Sequence, residues 1–239
     1  MISVIIPVAN PKPFLNRIRQ SLSGVSAPIE VIVVVSKDLE GKIFKKYSFE
    51  KIIISENKGR GFACSQGLRL AKGEIIIFLH ADTILPENWN KLILNALTNR
   101  NIVGGAFSLA FDTNHKYLKL LIYISDVFFK LTQELWGDRA IFIRSEVLKE
   151  HAVLMDVPIM EDVKLSNFMK RKGKVVMLKE KVITSSDTFL KHGLLRHTFR
   201  IIKCRLWYAL GGNLEKIYDY YYSRGNNTSL TGSKKHLSV

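Results

Sequence analysis

Two stretches of the chain, Val31-Ile32-Val33-Val34-Val35 and Ile75-Ile76-Ile77-Phe78-Leu79, are apolar at every position. A strand with one face in water alternates apolar and polar residues. An unbroken, largely β-branched run instead suits a strand covered on both faces. The stretches Ser3 to Pro7, Glu30 to Val35, Lys51 to Ser55 and Glu74 to His80 therefore read as four strands. Between and after them the apolar period lengthens to that of helices, over 13–22, 60–71 and 86–97. Strands alternating with helices predict an α/β fold, a mostly parallel sheet flanked by helices. In such sheets ligands bind beyond the carboxyl ends of the strands, so reactive groups are sought there.

The second half is less regular. Val103 to Phe111 alternates and predicts an edge or antiparallel strand, and Tyr117 to Trp136 a long amphipathic helix. A short strand follows over 140–144, a helix over 161–172 and a strand over 174–178. Residues 189–222 are helical in pattern, aromatic and broken at Gly211-Gly212, while 223–239 are polar and rich in Gly, Ser and Asn. The expected division is a catalytic-type domain over 1–188, a basic helical extension over 189–222 and a disordered tail over 223–239.

Hydrophobic residues make up 47% of the 239 and charged residues 24%, enough for one buried core and against global disorder. Cys64 and Cys204 are far apart and match no metal or redox spacing, which suits reduced thiols in a cytoplasmic protein. The opening Met1-Ile2-Ser3-Val4-Ile5-Ile6-Pro7 has no basic leader and too short an apolar run for a signal peptide. No stretch approaches the roughly 20 uncharged apolar residues that span a bilayer. The net charge of +15 calls for an anionic partner, and the last 49 residues hold nine Lys/Arg against two Asp/Glu.

Four stretches carry candidate chemistry. In Phe78-Leu79-His80-Ala81-Asp82-Thr83 an apolar strand ends in a carboxylate, where Asp82 could hold a hard cation or simply cap the next helix. In Met160-Glu161-Asp162-Val163 two carboxylates open a helix, as a general base with its neighbour or as charges favoured by the helix dipole. Gly137-Asp138-Arg139 reads equally as a turn with an ion pair or as a contact to an acceptor or diphosphate. Asn57-Lys58-Gly59-Arg60-Gly61 is a basic, glycine-rich entry to a helix that could cradle phosphate. It is neither a P-loop nor a dinucleotide fingerprint.

In this order the stretches resemble the family 2 glycosyltransferases of the GT-A (Rossmann-like) fold, over about Ile2 to Ser186. Within that family, His80-Ala81-Asp82-Thr83, Gly104-Gly105-Ala106-Phe107, Gly137 to Phe142 and Met160 to Val163 are similar to a small bacterial subgroup labelled arsenosugar-biosynthesis glycosyltransferases. That label points to relatives, not to a substrate. The resemblance implies a nucleotide-sugar donor, a divalent cation (Mn2+ or Mg2+) on Asp82, and inverting transfer with Asp162 as base beside Glu161. It also places Pro7, Asn10, Arg60, His80 and Ala81 along the nucleotide, with Asp138 and Arg139 toward the substrates. His80 stands where the family has the first Asp of D-x-D, so cation binding falls to Asp82. The acidic cluster expected after strand two is replaced by Val35-Ser36-Lys37-Asp38, leaving Asp38 as a displaced candidate. The Q-x-x-R-W motif of processive relatives is missing, which implies transfer of single sugars.

The basic segment His197 to Tyr208 mixes aromatic, aliphatic and cationic residues at helical spacing. It reads as a helix packed on the catalytic domain or a second subunit. The other reading is a helix lying on an anionic membrane surface, which would suit a lipid-linked acceptor and a peripheral location at the inner face. His192 and His197 belong to the same segment, either near the metal or as solvated or capping side chains. The rival functions are a nucleotidyltransferase on a related fold and a non-catalytic nucleotide- or nucleic-acid-binding protein. The loop Val8 to Pro13 lacks the glycine-rich signature of the first, and no nucleic-acid-binding motif supports the second.

Overall fold

The computed structural model describes residues 1–9, 18, 21–22, 25, 27–37 and 51–222. Asn10, Asp38, most of the helix expected over 13–22 and the tail 223–239 lie outside the described residues. Strands β1 (Ile2–Val8), β2 (Ile29–Ser36) and β3 (Lys51–Ser55) come first, followed by helix α1 (Arg60–Leu70). Then come β4 (Ile75–Phe78), β5 (Thr83–Ile84), α2 (Trp89–Ala96), β6 (Ile102–Phe111), α3 (Lys116–Thr132) and β7 (Ile141–Arg144). Helix α4 (Glu161–Lys172), β8 (Lys174–Thr184), a short helix Asp187–His192, α5 (Leu194–Ala209) and α6 (Leu214–Tyr222) follow, up to the last described residue.

One sheet runs β3-β2-β1-β4-β7-β6-β8-β5. Its first four strands are parallel, with Pro7 beside Val34 and Ile5 beside Phe78. Strand β7 then enters antiparallel to β4 and β6, so the sheet is mixed, though mostly parallel. The all-apolar strands are buried on both faces, as their composition requires. Ile6, Val33 and Ile77 pack with Trp89 and Phe142 on one side, and Ile5, Val34 and Ile76 with Leu68 and Phe168 on the other.

Of the two readings of β6, edge or antiparallel, the second holds: the strand lies inside the sheet, antiparallel to β7 and parallel to β8. A sequence shows which residues alternate but not how many neighbours a strand acquires. The basic extension packs on the sheet-bearing part, one of the placements expected for it: Cys204 and Ile217 lie against Ile159, Met160 and Val163 at the start of α4. Among the described residues no helix is long and apolar enough to cross a membrane.

Candidate active site

Strands β1 and β4 end side by side, which puts Pro7 next to the Leu79-His80-Ala81-Asp82 segment leaving β4. Helix α4 begins over the same edge. Its preceding residue, Met160, takes the left-handed conformation at φ 66°, and Ala140 beyond the Gly137-Asp138-Arg139 turn does the same at φ 50°. Non-glycine residues enter this region only where the surroundings compel it. Here they turn two short segments toward one another. Asp162 Oδ2 accepts the Gly137 N–H at 3.0 Å, and its Oδ1 accepts that of Val163 at 2.9 Å.

Arg60, the first residue of α1, is the hub. Its Nε donates to Glu161 Oε1, its Nη2 lies 3.6 Å from Asp162 Oδ2, and its Nη1 meets His80 Nε2. Glu161 is almost wholly buried, and burial raises its carboxyl pKa, opposed by Arg60 and reinforced by Asp162. Together Pro7, Arg60, Cys64, Phe78, His80, Gly137, Glu161 and Asp162 line one small pocket.

The glycine-rich turn owes its composition to packing. A Cβ on Gly59, whose φ is 123°, would strike the Pro158 carbonyl, and one on Gly61 would strike that of Val157. Phe62 N–H also donates to Val157 O at 3.1 Å. The loop before α4 thus packs directly against the backbone of this turn, and Arg60 is the part of the turn that lines the pocket.

Gly137 is constrained by the Arg60 guanidinium instead. An added Cβ there would lie 2.9 Å from Arg60 Nη2 and 3.1 Å from Cζ. Gly137→Ala is therefore expected to push the guanidinium off its partners. Overpacking of this kind costs about 1–3 kcal/mol, to be read as a lower melting temperature together with weaker nucleotide-induced stabilisation.

Asp138 lies beside the pocket. Its Oδ1 is buried without a hydrogen-bond partner, and burial is the main cause of its raised pKa. Arg139 and Arg60 oppose that rise, while Asp162 and Asp82 add to it, so the three aspartates share one electrostatic neighbourhood. Among the described residues no group of three or more His, Cys, Asp or Glu is arranged to enclose a metal. A hard cation that shares its shell with substrate phosphate needs only one or two protein carboxylates. Asp82 with the unpartnered oxygen of Asp138 fits that requirement.

Ala81 is half-buried against the main core. Arg139 turns away from the pocket: it is 1% exposed, and its guanidinium is held by Asp126 at 2.7 Å, by Ser125 and by Met177 Sδ at 3.3 Å. It ties α3 to β8, a structural role that its neighbours in sequence do not reveal. His197 is also buried away from the pocket, edge-on to Phe189 and near Tyr221, with its pKa lowered to about 4 chiefly by burial.

Several residues at the site had no signal in local sequence. Tyr222 of α6 lies within electrostatic reach of Arg60 and Glu161, and Tyr221 within reach of Arg60, Asp138 and Asp162. From α5, Arg205 pairs with Glu134 and stacks over the Trp136 ring at 5.1 Å. Trp136 Nε1 and Glu161 Oε2 are buried without hydrogen-bond partners. Only the run Tyr220-Tyr221-Tyr222 could have hinted at an aromatic roof.

Known proteins share this architecture. Mannosyltransferase PcManGT from Pyrobaculum calidifontis, in complex with GDP-Man and Mn2+, matches with TM-score 0.61 at 15% identity, over 93% of this chain and 70% of that one. Glucosyl-3-phosphoglycerate synthase from Mycobacterium tuberculosis, in complex with Mg2+ and UDP, matches with TM-score 0.58 at 17% identity, over 89% and 80%. S. aureus TarS 1-349 in complex with UDP-GlcNAc gives 0.56 at 18% identity, and this chain spans 77% of its own length but only 58% of that one. No curated protein matches the sequence. The family model for glycosyl transferase family 2 covers residues 3–148, the segment that builds β1 to β7 and the strand-end edge of the pocket. The likeness of fold and the match over more than half the chain lead to one conclusion: the protein belongs to glycosyl transferase family 2.

Proposed function

We propose that the protein transfers a single sugar from a nucleotide-sugar donor to an acceptor hydroxyl, with inversion at the anomeric carbon. One observation carries the reading. Arg60, His80, Glu161 and Asp162, drawn from three separate segments, meet in one pocket at the ends of parallel strands. Solved structures of the same fold hold UDP with Mg2+ and GDP-Man with Mn2+.

In this mechanism Asp162 accepts the proton of the acceptor hydroxyl. The freed oxygen forms a bond to the anomeric carbon while the bond from that carbon to the diphosphate breaks, and the nucleoside diphosphate leaves with the electron pair. Two backbone N–H groups hold the Asp162 carboxylate in place, so little reorganisation accompanies the proton transfer. Glu161 fixes Arg60, and Arg60 sets a positive charge beside the strand ends where the diphosphate of the donor would lie. Asp82 and Asp138 would hold a divalent cation, which when bound neutralises charge on the departing diphosphate. The likeness to the arsenosugar-labelled subgroup rests on its four motifs alone and specifies neither donor nor acceptor.

The test is thermal stability against a panel of nucleoside diphosphates and their sugars, with and without Mn2+. A ligand present at a hundred times its Kd raises stability by about 2.7 kcal/mol. The expected result is a cation-dependent shift with one base. No shift with any nucleotide would overturn the donor assignment.

A further inference from the structure

Helices α3 and α5 each expose a stripe of apolar side chains. On α3 these are Leu120, Tyr123, Ile124, Val127, Phe128 and Leu131, and on α5 they are Leu195, Phe199, Ile202 and Leu206, continued by Leu210. The spacings are helical, so each set lies along one side of its helix. The exposure is large, 80% at Leu131, 68% at Phe199 and 87% at Leu210.

Side chains join the two helical segments at two points. Tyr117 OH meets Thr198 Oγ1 at 3.1 Å, and Glu134, just past α3, pairs with Arg205. The contacts fall in the same order along both segments, so the helices run in the same sense. At about 100° per residue, Tyr117 falls at one edge of the stripe on α3, between Ile124 and Phe128, and Thr198 and Arg205 fall beyond the opposite edge of the stripe on α5. Both stripes therefore face the same way and form one apolar surface. A groove lined by Phe199, Ile202, Lys203, Leu206, Trp207 and Leu210 opens on it.

Charge identifies what covers this surface. Exposed Lys119 and Lys130 lie along its outer α3 edge, and Arg196 and Lys203 along its outer α5 edge, with Lys191 just before α5. The only acidic residue in either helix is Asp126, which is bound to Arg139. A second copy seated on the same face would bring cations against cations with no acid to pair them. The tail 223–239 holds no acidic residue either and adds Arg224, Lys234 and Lys235. An anionic bilayer matches both parts, with apolar side chains entering the acyl boundary and flanking cations meeting the headgroups.

We propose that α3 and α5 together form a docking face for an anionic lipid bilayer. This claim stands apart from the catalytic reading, since neither apolar stripe lines the pocket.

The experiment is flotation of the full chain with vesicles of phosphatidylcholine alone, and with vesicles of equal parts phosphatidylcholine and phosphatidylglycerol. The protein should float with the anionic vesicles only, and less so at high salt. Ile124→Glu with Leu206→Glu should weaken binding by about a hundredfold, roughly tenfold for each apolar side chain withdrawn. Lys119→Gln, Lys130→Gln and Lys203→Gln should each weaken it by about fivefold. These positions are exposed, so an unchanged melting temperature and an unchanged nucleotide-induced shift will show that fold and pocket are intact. Wild-type protein that stays off the anionic vesicles overturns the proposal, as does a double glutamate variant that binds like wild type. A wild-type dimer in light scattering that the glutamates split, without vesicle binding, also overturns it and assigns the face to a second copy.

Discussion

Asp162→Asn is expected to remove sugar transfer while leaving the donor bound. Asparagine keeps the size of the side chain and one oxygen acceptor, so the bond from Gly137 N–H can survive while that from Val163 N–H is lost. Losing one such bond costs about 1 kcal/mol, too little to unfold the site. What disappears is the group able to take a proton. Positioned acid–base catalysis contributes roughly a hundredfold to ten-thousandfold, and the rate should fall by that factor with the nucleotide-induced thermal shift preserved. Full turnover in the variant would move the base to another residue. Glu161 is then the natural second candidate, but it is buried and committed to Arg60, which makes it better suited to fixing the guanidinium.

The second large effect concerns stability. Arg60→Met leaves Glu161 buried beside Asp162 without its cation. Breaking a buried pair by removing one partner typically costs about 3–5 kcal/mol, or roughly 10 °C in melting temperature for a domain of this size. The loss should depend on pH. The folded-state pKa of Glu161 already lies above its ordinary value of 4.5, and removing Arg60 removes the main influence that lowers it. Between the unfolded and folded values the folded protein binds the extra proton, so stability falls as pH rises through that window. The variant should therefore lose less of its melting temperature at pH 4.5 than at pH 7. An equal loss at both values would mean that the pair contributes through packing and not through charge.

How much of this was legible in advance differs from element to element. Strands β1, β2 and β4 were readable to within a residue or two because burial on both faces leaves a local mark, a largely unbroken apolar run. The start of α4 was readable because Glu161 and Asp162 sit where a helix dipole favours negative charge. The motifs around Arg60, His80 and Asp162 were readable only as a set, since each stretch alone is also an ordinary turn or cap.

Partnership was not legible. Arg60 and Glu161 are 101 positions apart, and nothing local to either names the other. Arg139 and Asp138 are adjacent and both charged, yet Arg139 reaches α3 while Asp138 shares the electrostatic neighbourhood of Asp82 and Asp162, because successive residues of the 3-10 turn Gly137–Arg139 project about 120° apart. Gly59 looked like part of a phosphate loop, and its reason is the backbone of Pro158. The apolar stripes on α3 and α5 each read as an ordinary amphipathic helix until their packing left both outside. By itself the sequence determined the buried strands, the order of the motifs and the family, because periodicity and residue chemistry are properties of short segments. The tertiary structure alone decided which carboxylate meets which cation and which apolar faces stay uncovered, because those depend on contacts between segments far apart in the chain.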